Sequence, residues 1–149
     1  MYASEANLIQ VFNNALLEDT SPFSPENTAS EFDYREGRTD VILQDVDGSL
    51  VAFEMKLSKW RQALHQAYRN SSFAHYSYVV LPLSIARVAV GLEHEFRRRG
   101  VGLCSVANDE ITIEIEAKRM TPLRPWLTKS AIEYLFREEV YHSQHTSSM

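Results

Sequence analysis

Hydrophobic positions recur along this chain with two periods, and the switches between them mark out the elements. Leu8, Phe12, Ala15 and Leu16 lie a helical turn apart and Ser4 stands where a cap belongs, so residues 4–19 predict a helix. Pro22 and Pro25, among Ser and Asn, make 20–27 a loop. Residues 28–35 predict a weakly patterned strand closed by a turn at Glu36-Gly37, and β-branched and apolar residues predict strands over 39–44 and 50–57. Residues 59–72 predict a helix capped by Ser58, with Trp60, Ala63, Leu64, Ala67 and Ser71 as its packing face. A short apolar strand over 76–81 ends at Pro82. Residues 84–99 then predict one amphipathic helix, with Ile85, Val88, Ala89, Leu92 and Phe96 on one face and Gly100 as its stop. Residues 101–106 and 110–116 predict strands joined by Ala107-Asn108-Asp109; Ile111, Ile113 and Ile115 alternate there with Thr112, Glu114 and Glu116. Beyond Pro122 and Pro125, residues 127–140 predict a last helix, and 142–149 a flexible polar tail.

The order is α-β-β-β-α-β-α-β-β-α. Helices placed between strands imply crossover connections, hence an α/β fold with a mixed β-sheet flanked by helices. The chain's 149 residues suit one domain, expected over 1–141. With 44% hydrophobic and 23% charged residues it is ordinarily globular. Cys104 is the only cysteine, which excludes a disulfide framework or a cysteine-based zinc site within one chain; it reads as a small core residue. The first residues lack the basic-then-apolar pattern of a signal peptide, and no apolar run is long enough to span a bilayer, so a soluble cytoplasmic protein with no membrane role is expected. A net charge of −5 argues against coating nucleic acid by bulk electrostatics, though not against a local grip on a phosphate backbone.

The chemistry concentrates between Arg38 and Tyr68. Asp45-Val46-Asp47-Gly48-Ser49 fits a three-residue hairpin loop in which Gly48 supplies the positive φ. If Asp45 pairs with Ser49, Asp40 lies directly opposite Glu54, with Cβ atoms roughly 4.5–5.5 Å apart. Lys56, two residues on, projects from the same face. Val41, Leu43, Val51, Phe53 and Met55 occupy the other face, which is a core face.

Two carboxylates so close repel, and one tends to take up a proton unless a cation intervenes. Mg²⁺ or Mn²⁺ suits such a pair, because Mg²⁺ binds through one or two carboxylates and completes its shell with water and substrate phosphate. It polarises a phosphate and acidifies an attacking water, and a nearby lysine can stabilise charge developing on phosphorus oxygens. The competing reading is a charged patch on an edge hairpin, where Lys and Glu commonly pair.

Asp40 on a strand entry, the hairpin, Glu54-Met55-Lys56 in an apolar strand, and a following helix with Gln62 and Gln66 together resemble the PD-(D/E)xK nuclease superfamily. That superfamily includes restriction endonucleases, Holliday-junction resolvases and RecB-type nucleases. The likeness spans roughly residues 4–116, with Thr39 in place of the proline that often precedes the first aspartate. It implies a restriction-endonuclease-like core, with Asp40 and Glu54 as metal ligands and Lys56 as the catalytic lysine. It further implies that Glu5 is the first-helix glutamate near the metal and that Gln66, rather than Gln62, steadies a water or phosphate. Glu5 also reads simply as an acid favouring a helix N-terminus, and Gln66 as a solvated helix residue.

The expectation is a Mg²⁺- or Mn²⁺-dependent nuclease acting on nucleic acid, DNA ahead of RNA. The alternative is a catalytically silent nuclease-like domain serving binding or assembly in a defence or repair complex. The low basic content implies help with binding from a second copy in a homodimer or from a larger complex. Lys59, Arg61, His65, Arg69, Arg87, His94 and Arg98 are exposed cations that could follow a backbone but mostly read as solvated faces. Trp60, Tyr68, Tyr76 and Tyr78 suit packing rather than base stacking.

Overall fold

The computed structural model describes residues 2–146. The elements are α1 (Glu5–Leu16), β1 (Pro25–Tyr34), β2 (Gly37–Asp45), β3 (Leu50–Met55), α2 (Trp60–Asn70), β4 (Tyr76–Pro82), α3 (Leu83–Val90), α4 (Glu93–Arg99), β5 (Gly102–Ala107), β6 (Glu110–Ile115) and α5 (Pro125–Thr146). The strands form one six-stranded sheet in sequential order, β1 to β6. The β3–β4 and β4–β5 pairs are parallel and the rest antiparallel. Parallel neighbours need crossovers, and α2 and the α3–α4 pair supply them. The fold is the mixed α/β class the sequence predicts.

Both faces of the sheet are covered. Leu8, Phe12, Ala15 and Leu16 of α1 pack on Val41, Leu43, Val51, Phe53 and Met55, with Cys104 and Val106 beside them. Trp60, Ala63, Leu64 and Ala67 of α2 and Ala86, Ala89 and Phe96 of α3–α4 pack on Val79, Leu81 and Leu103. Ala131 and Leu135 of α5 cover Ile42, Leu50 and Ala52. Every residue of β3 is therefore buried, as befits a central strand with helices on both sides.

Local signals explain the ends of several elements. The Ser4 hydroxyl accepts from the Asn7 amide and caps α1. Gly100 takes a φ of +72° and stops α4. Asn108 and Asp109, both at positive φ, form the β5–β6 turn, which such residues tolerate better than most. Three expectations are corrected. The helix over 84–99 is broken at Gly91-Leu92 into α3 and α4, and within α3 Ala86 and Ala89 are the buried residues while Val88 is 62% exposed. Ser58 does not cap α2, whose N-terminal flank is Lys59 without a side-chain cap bond. The last helix begins at Pro125 and runs to Thr146, beyond the expected 140; residues 147–149 of the expected tail lie outside the described residues. No helix among the described residues is long and apolar enough to cross a membrane.

Candidate active site

The hairpin places the acidic pair. Gly48 adopts a φ of +90°, its amide donates to the Asp45 carbonyl at 2.8 Å, and the Asp45 amide donates to the Ser49 carbonyl at 2.8 Å. The Asp47 carboxylate accepts from the Ser49 amide at 2.9 Å and holds the loop closed. The ladder then runs Gln44↔Leu50, Leu43↔Val51, Ile42↔Ala52 and Val41↔Phe53. The next pair in this register is Asp40 with Glu54, as the loop chemistry predicts. Because β3 lies between β2 and β4, the charged residues do not form a patch on an edge hairpin.

Asp40 is half-buried, and one of its oxygens accepts from the Met55 amide at 2.9 Å. That bond ties the carboxylate to the end of β3. Glu54 is only 2% exposed. The cluster is therefore closed to solvent at Glu54. α2 lies over this face, and the Asn70 amide donates to Glu54 Oε1 at 2.9 Å. Burial first, and then the neighbouring Asp40 carboxylate, push the Glu54 carboxyl up from 4.5 to about 8, against the opposing influence of Asn70 and Lys56. Near neutral pH, without a cation, Glu54 therefore keeps a proton that Asp40 can accept.

Lys56 follows β3 and leaves 20% of its side chain exposed. Its Nζ lies 3.7 Å from Glu5 Oε1 on the first turn of α1. Glu5 thus belongs to the cluster through the lysine, an ion-pair role the sequence leaves unspecified. Gln66 is partly buried, and its Oε1 is shut off from solvent with no hydrogen-bond partner among the described residues. It lies one helical turn before Asn70 and so on the same stripe of α2. Gln62 is exposed. The structure therefore sets Asp40 and Glu54 side by side on β2 and β3, with Lys56 just beyond β3 near enough to act on the Glu54 charge and itself paired with Glu5 of α1, and with Gln66 on the covering helix.

Asn70 is the residue that sequence reasoning overlooks. It is 1% exposed, and besides donating to Glu54 it accepts from the Tyr34 hydroxyl at 2.7 Å and the Thr39 hydroxyl at 3.0 Å. Burial raises the Tyr34 phenol to about 12, so it stays protonated and available as a donor. The available signal was Asn70 itself, a polar residue one helical step from the expected packing position at Ser71.

The basic residues are largely self-neutralised on α4, where Arg98 and Arg99 pair with Glu95, and Arg97 with Glu93. Arg61 lies over the Trp60 ring, 4.5 Å from its centroid, and Arg69 donates to the Glu36 carbonyl. Trp60 stacks on Phe96 in the core. Cys104 is fully buried, and its thiol is held well above the ordinary range by burial.

Hard oxygen donors are what a Mg²⁺-like ion requires. Among the described residues no group of three or more His, Cys, Asp or Glu side chains is placed to hold a metal ion, so Asp40, Glu54 and Glu5 do not gather as a three-carboxylate site. Asp40 and Glu54 offer the two carboxylates that Mg²⁺ uses when water and phosphate complete its shell. The proton held by Glu54 beside Asp40 is a feature that a cation would relieve. The residues present therefore fit such an ion.

No family model matches the chain, and no curated protein matches it in sequence. Among solved structures, a protein of unknown function from Silicibacter pomeroyi superimposes with a TM-score of 0.61 at 17% identity, over 80% of this chain and 78% of that one. EndoMS in its complex with double-stranded DNA gives a TM-score of 0.46 at 19% identity, over 69% of this chain and 44% of that one. A repair endonuclease from Pyrococcus abyssi gives 0.44 at 20% identity, over 70% and 46%. At these identities likeness speaks of fold alone, and the chain shares its α/β fold with the Silicibacter pomeroyi protein.

Proposed function

We propose that the protein is a divalent-metal-dependent nuclease of the PD-(D/E)xK type, hydrolysing phosphodiester bonds of nucleic acid, DNA ahead of RNA. What supports this reading is the Asp40 carboxylate tied to the Met55 amide beside the buried Glu54 carboxyl, with the Lys56 charge acting on the same group. Asp40 and Glu54 would hold Mg²⁺ or Mn²⁺, with Gln66 Oε1 as a further oxygen near the covering helix. A bound cation supplies charge neutralisation on the scissile phosphate and acidifies the attacking water. Asp40 is fixed by the Met55 amide and is the more accessible carboxylate, so it is the side from which substrate approaches. Lys56, held by Glu5, presents an ammonium that stabilises negative charge building on the non-bridging phosphate oxygens. A homodimer or larger complex would provide the backbone grip that a net charge of −5 does not.

The near-complete burial of Glu54 favours a second reading, the catalytically silent nuclease-like module. Cleavage of labelled single-stranded, duplex and branched DNA and of RNA, in Mg²⁺, Mn²⁺ or EDTA, separates the two. The nuclease reading expects metal-dependent cutting that is lost in Asp40→Asn. No cutting of any substrate, or equal cutting by wild type and Asp40→Asn, leaves the binding module.

A further inference from the structure

We propose that Asn70, clamped by Tyr34 and Thr39, is a positioning residue that orients Glu54 as a metal ligand. The inference rests on the nuclease reading of the site.

An asparagine amide offers an oxygen that accepts and a nitrogen that donates, and its two ends are nearly alike in shape. Their chemical surroundings decide which way it faces. Here Tyr34 and Thr39 both donate to Asn70 Oδ1, at 2.7 and 3.0 Å. The hydroxyls can donate or accept, so it is the ionised Glu54, which only accepts, that holds the nitrogen toward its Oε1, at 2.9 Å. With Glu54 ionised, as a metal ligand is, a flipped amide would set its oxygen against a carboxylate oxygen and forfeit the bond from Asn70 to Glu54. Asn70, Thr39 and Glu54 are all buried, so water cannot repair a flipped arrangement. The clamp therefore occupies one oxygen of Glu54 and leaves the other to Asp40 or a cation.

The network joins four elements at the site. Tyr34 ends β1, Thr39 directly precedes Asp40 on β2, Glu54 lies on β3 and Asn70 ends α2. Thr39, directly before Asp40, supplies the hydroxyl that reaches Asn70 from β2. Hydrogen bonds behind a ligand typically matter to metal affinity almost as much as the ligand itself. Tyr34 touches Glu54 only through Asn70, so its influence on the metal must pass through that amide.

The test is Mn²⁺ binding by titration calorimetry, with thermal denaturation in EDTA as a check on folding. Asn70→Ala is expected to weaken Mn²⁺ binding about 10- to 100-fold. It also strands three polar groups, those of Thr39 and Glu54 buried, so Tyr34→Phe serves as the gentler variant and is expected to weaken binding several-fold. In an Asn70→Ala background the further change Tyr34→Phe should have no effect on affinity, because its route is gone. Tyr134→Phe is the control: it removes a hydroxyl that donates to the Ser30 carbonyl at 2.6 Å on the same strand β1, and it should leave Mn²⁺ affinity unchanged. Wild-type affinity in both Asn70→Ala and Tyr34→Phe overturns the proposal and leaves the nuclease reading standing. Equal weakening by Tyr34→Phe and Tyr134→Phe overturns it in favour of general destabilisation. Absence of Mn²⁺ binding in the wild type removes the nuclease reading and this proposal with it.

Discussion

Glu54→Gln converts the buried carboxyl into a neutral group of nearly the same shape. Its carbonyl can still accept from Asn70, and its amide can donate to Asp40 as the protonated carboxyl does. In the wild type the Glu54 carboxyl is raised from 4.5 to about 8 by burial and by Asp40. Below pH 4.5 both the folded and the unfolded chain hold this proton. Between 4.5 and 8 the folded chain keeps it while the unfolded chain releases it, so stability falls as pH rises, and the loss is complete above 8. The size of the rise places that loss on the order of 5 kcal/mol. The glutamine amide has no such proton to lose, so Glu54→Gln should gain on the wild type as pH increases. At about 2–4 °C per kcal/mol for a chain of this size, the difference in Tm between variant and wild type should widen by roughly 10 °C from about pH 5 to about pH 9. Thermal or urea denaturation of both proteins in EDTA, at acidic, neutral and alkaline pH across that window, measures it. A difference that stays constant with pH, or a variant less stable than wild type at the alkaline end, would refute the buried-pair account. Adding Mn²⁺ at mildly alkaline pH should raise the wild-type Tm and leave that of Glu54→Gln almost unmoved.

Lys56→Ala should retain Mn²⁺ affinity within a few-fold while cleavage falls by about two to three orders of magnitude, as seen when one transition-state contact is removed; single-turnover cleavage and calorimetry on the same preparation separate the effects. Asp40→Asn keeps an oxygen able to accept from the Met55 amide and should fold normally, yet titration calorimetry should detect no Mn²⁺ binding. Glu5→Gln removes a half-exposed ion pair and should cost no more than about 1 kcal/mol in urea denaturation. Gly102→Ala should fail to fold or lose many degrees in Tm, since its Cβ would fall 2.4 Å from the Tyr78 ring and 2.6 Å from the Ile115 carbonyl; a wild-type melting curve would contradict the tight β4–β5–β6 packing.

Much of this architecture is local and therefore written in the sequence. Ser4 caps α1 and Gly100 ends α4 through bonds and dihedral angles that involve only neighbouring residues. The hairpin register follows from a loop in which Gly48 alone is free to take a φ of +90°, and the period of two then carries Asp40 opposite Glu54. The acidic pair and the lysine beside it were legible for that reason.

What surrounds them was decided by tertiary structure. Whether the face bearing Glu54 meets water depends on where α2 lands after its crossover, and no spacing within the hairpin encodes that. The uninterrupted burial of β3 was faintly visible in Leu50-Val51-Ala52-Phe53, an apolar run where a half-exposed strand would alternate. The amphipathic pattern over 84–99 runs across Gly91 without marking the break between α3 and α4, and it does not tell Val88, which is exposed, from Ala86 and Ala89, which are buried. Asn70 ends a helix, where asparagine is ordinary. Its partners Tyr34, Thr39 and Glu54 come from three different strands, and only the assembled sheet brings their polar groups within hydrogen-bonding reach of one buried amide. Periodicity records which face of an element is apolar; it carries no information about which polar atom of one element meets which polar atom of another.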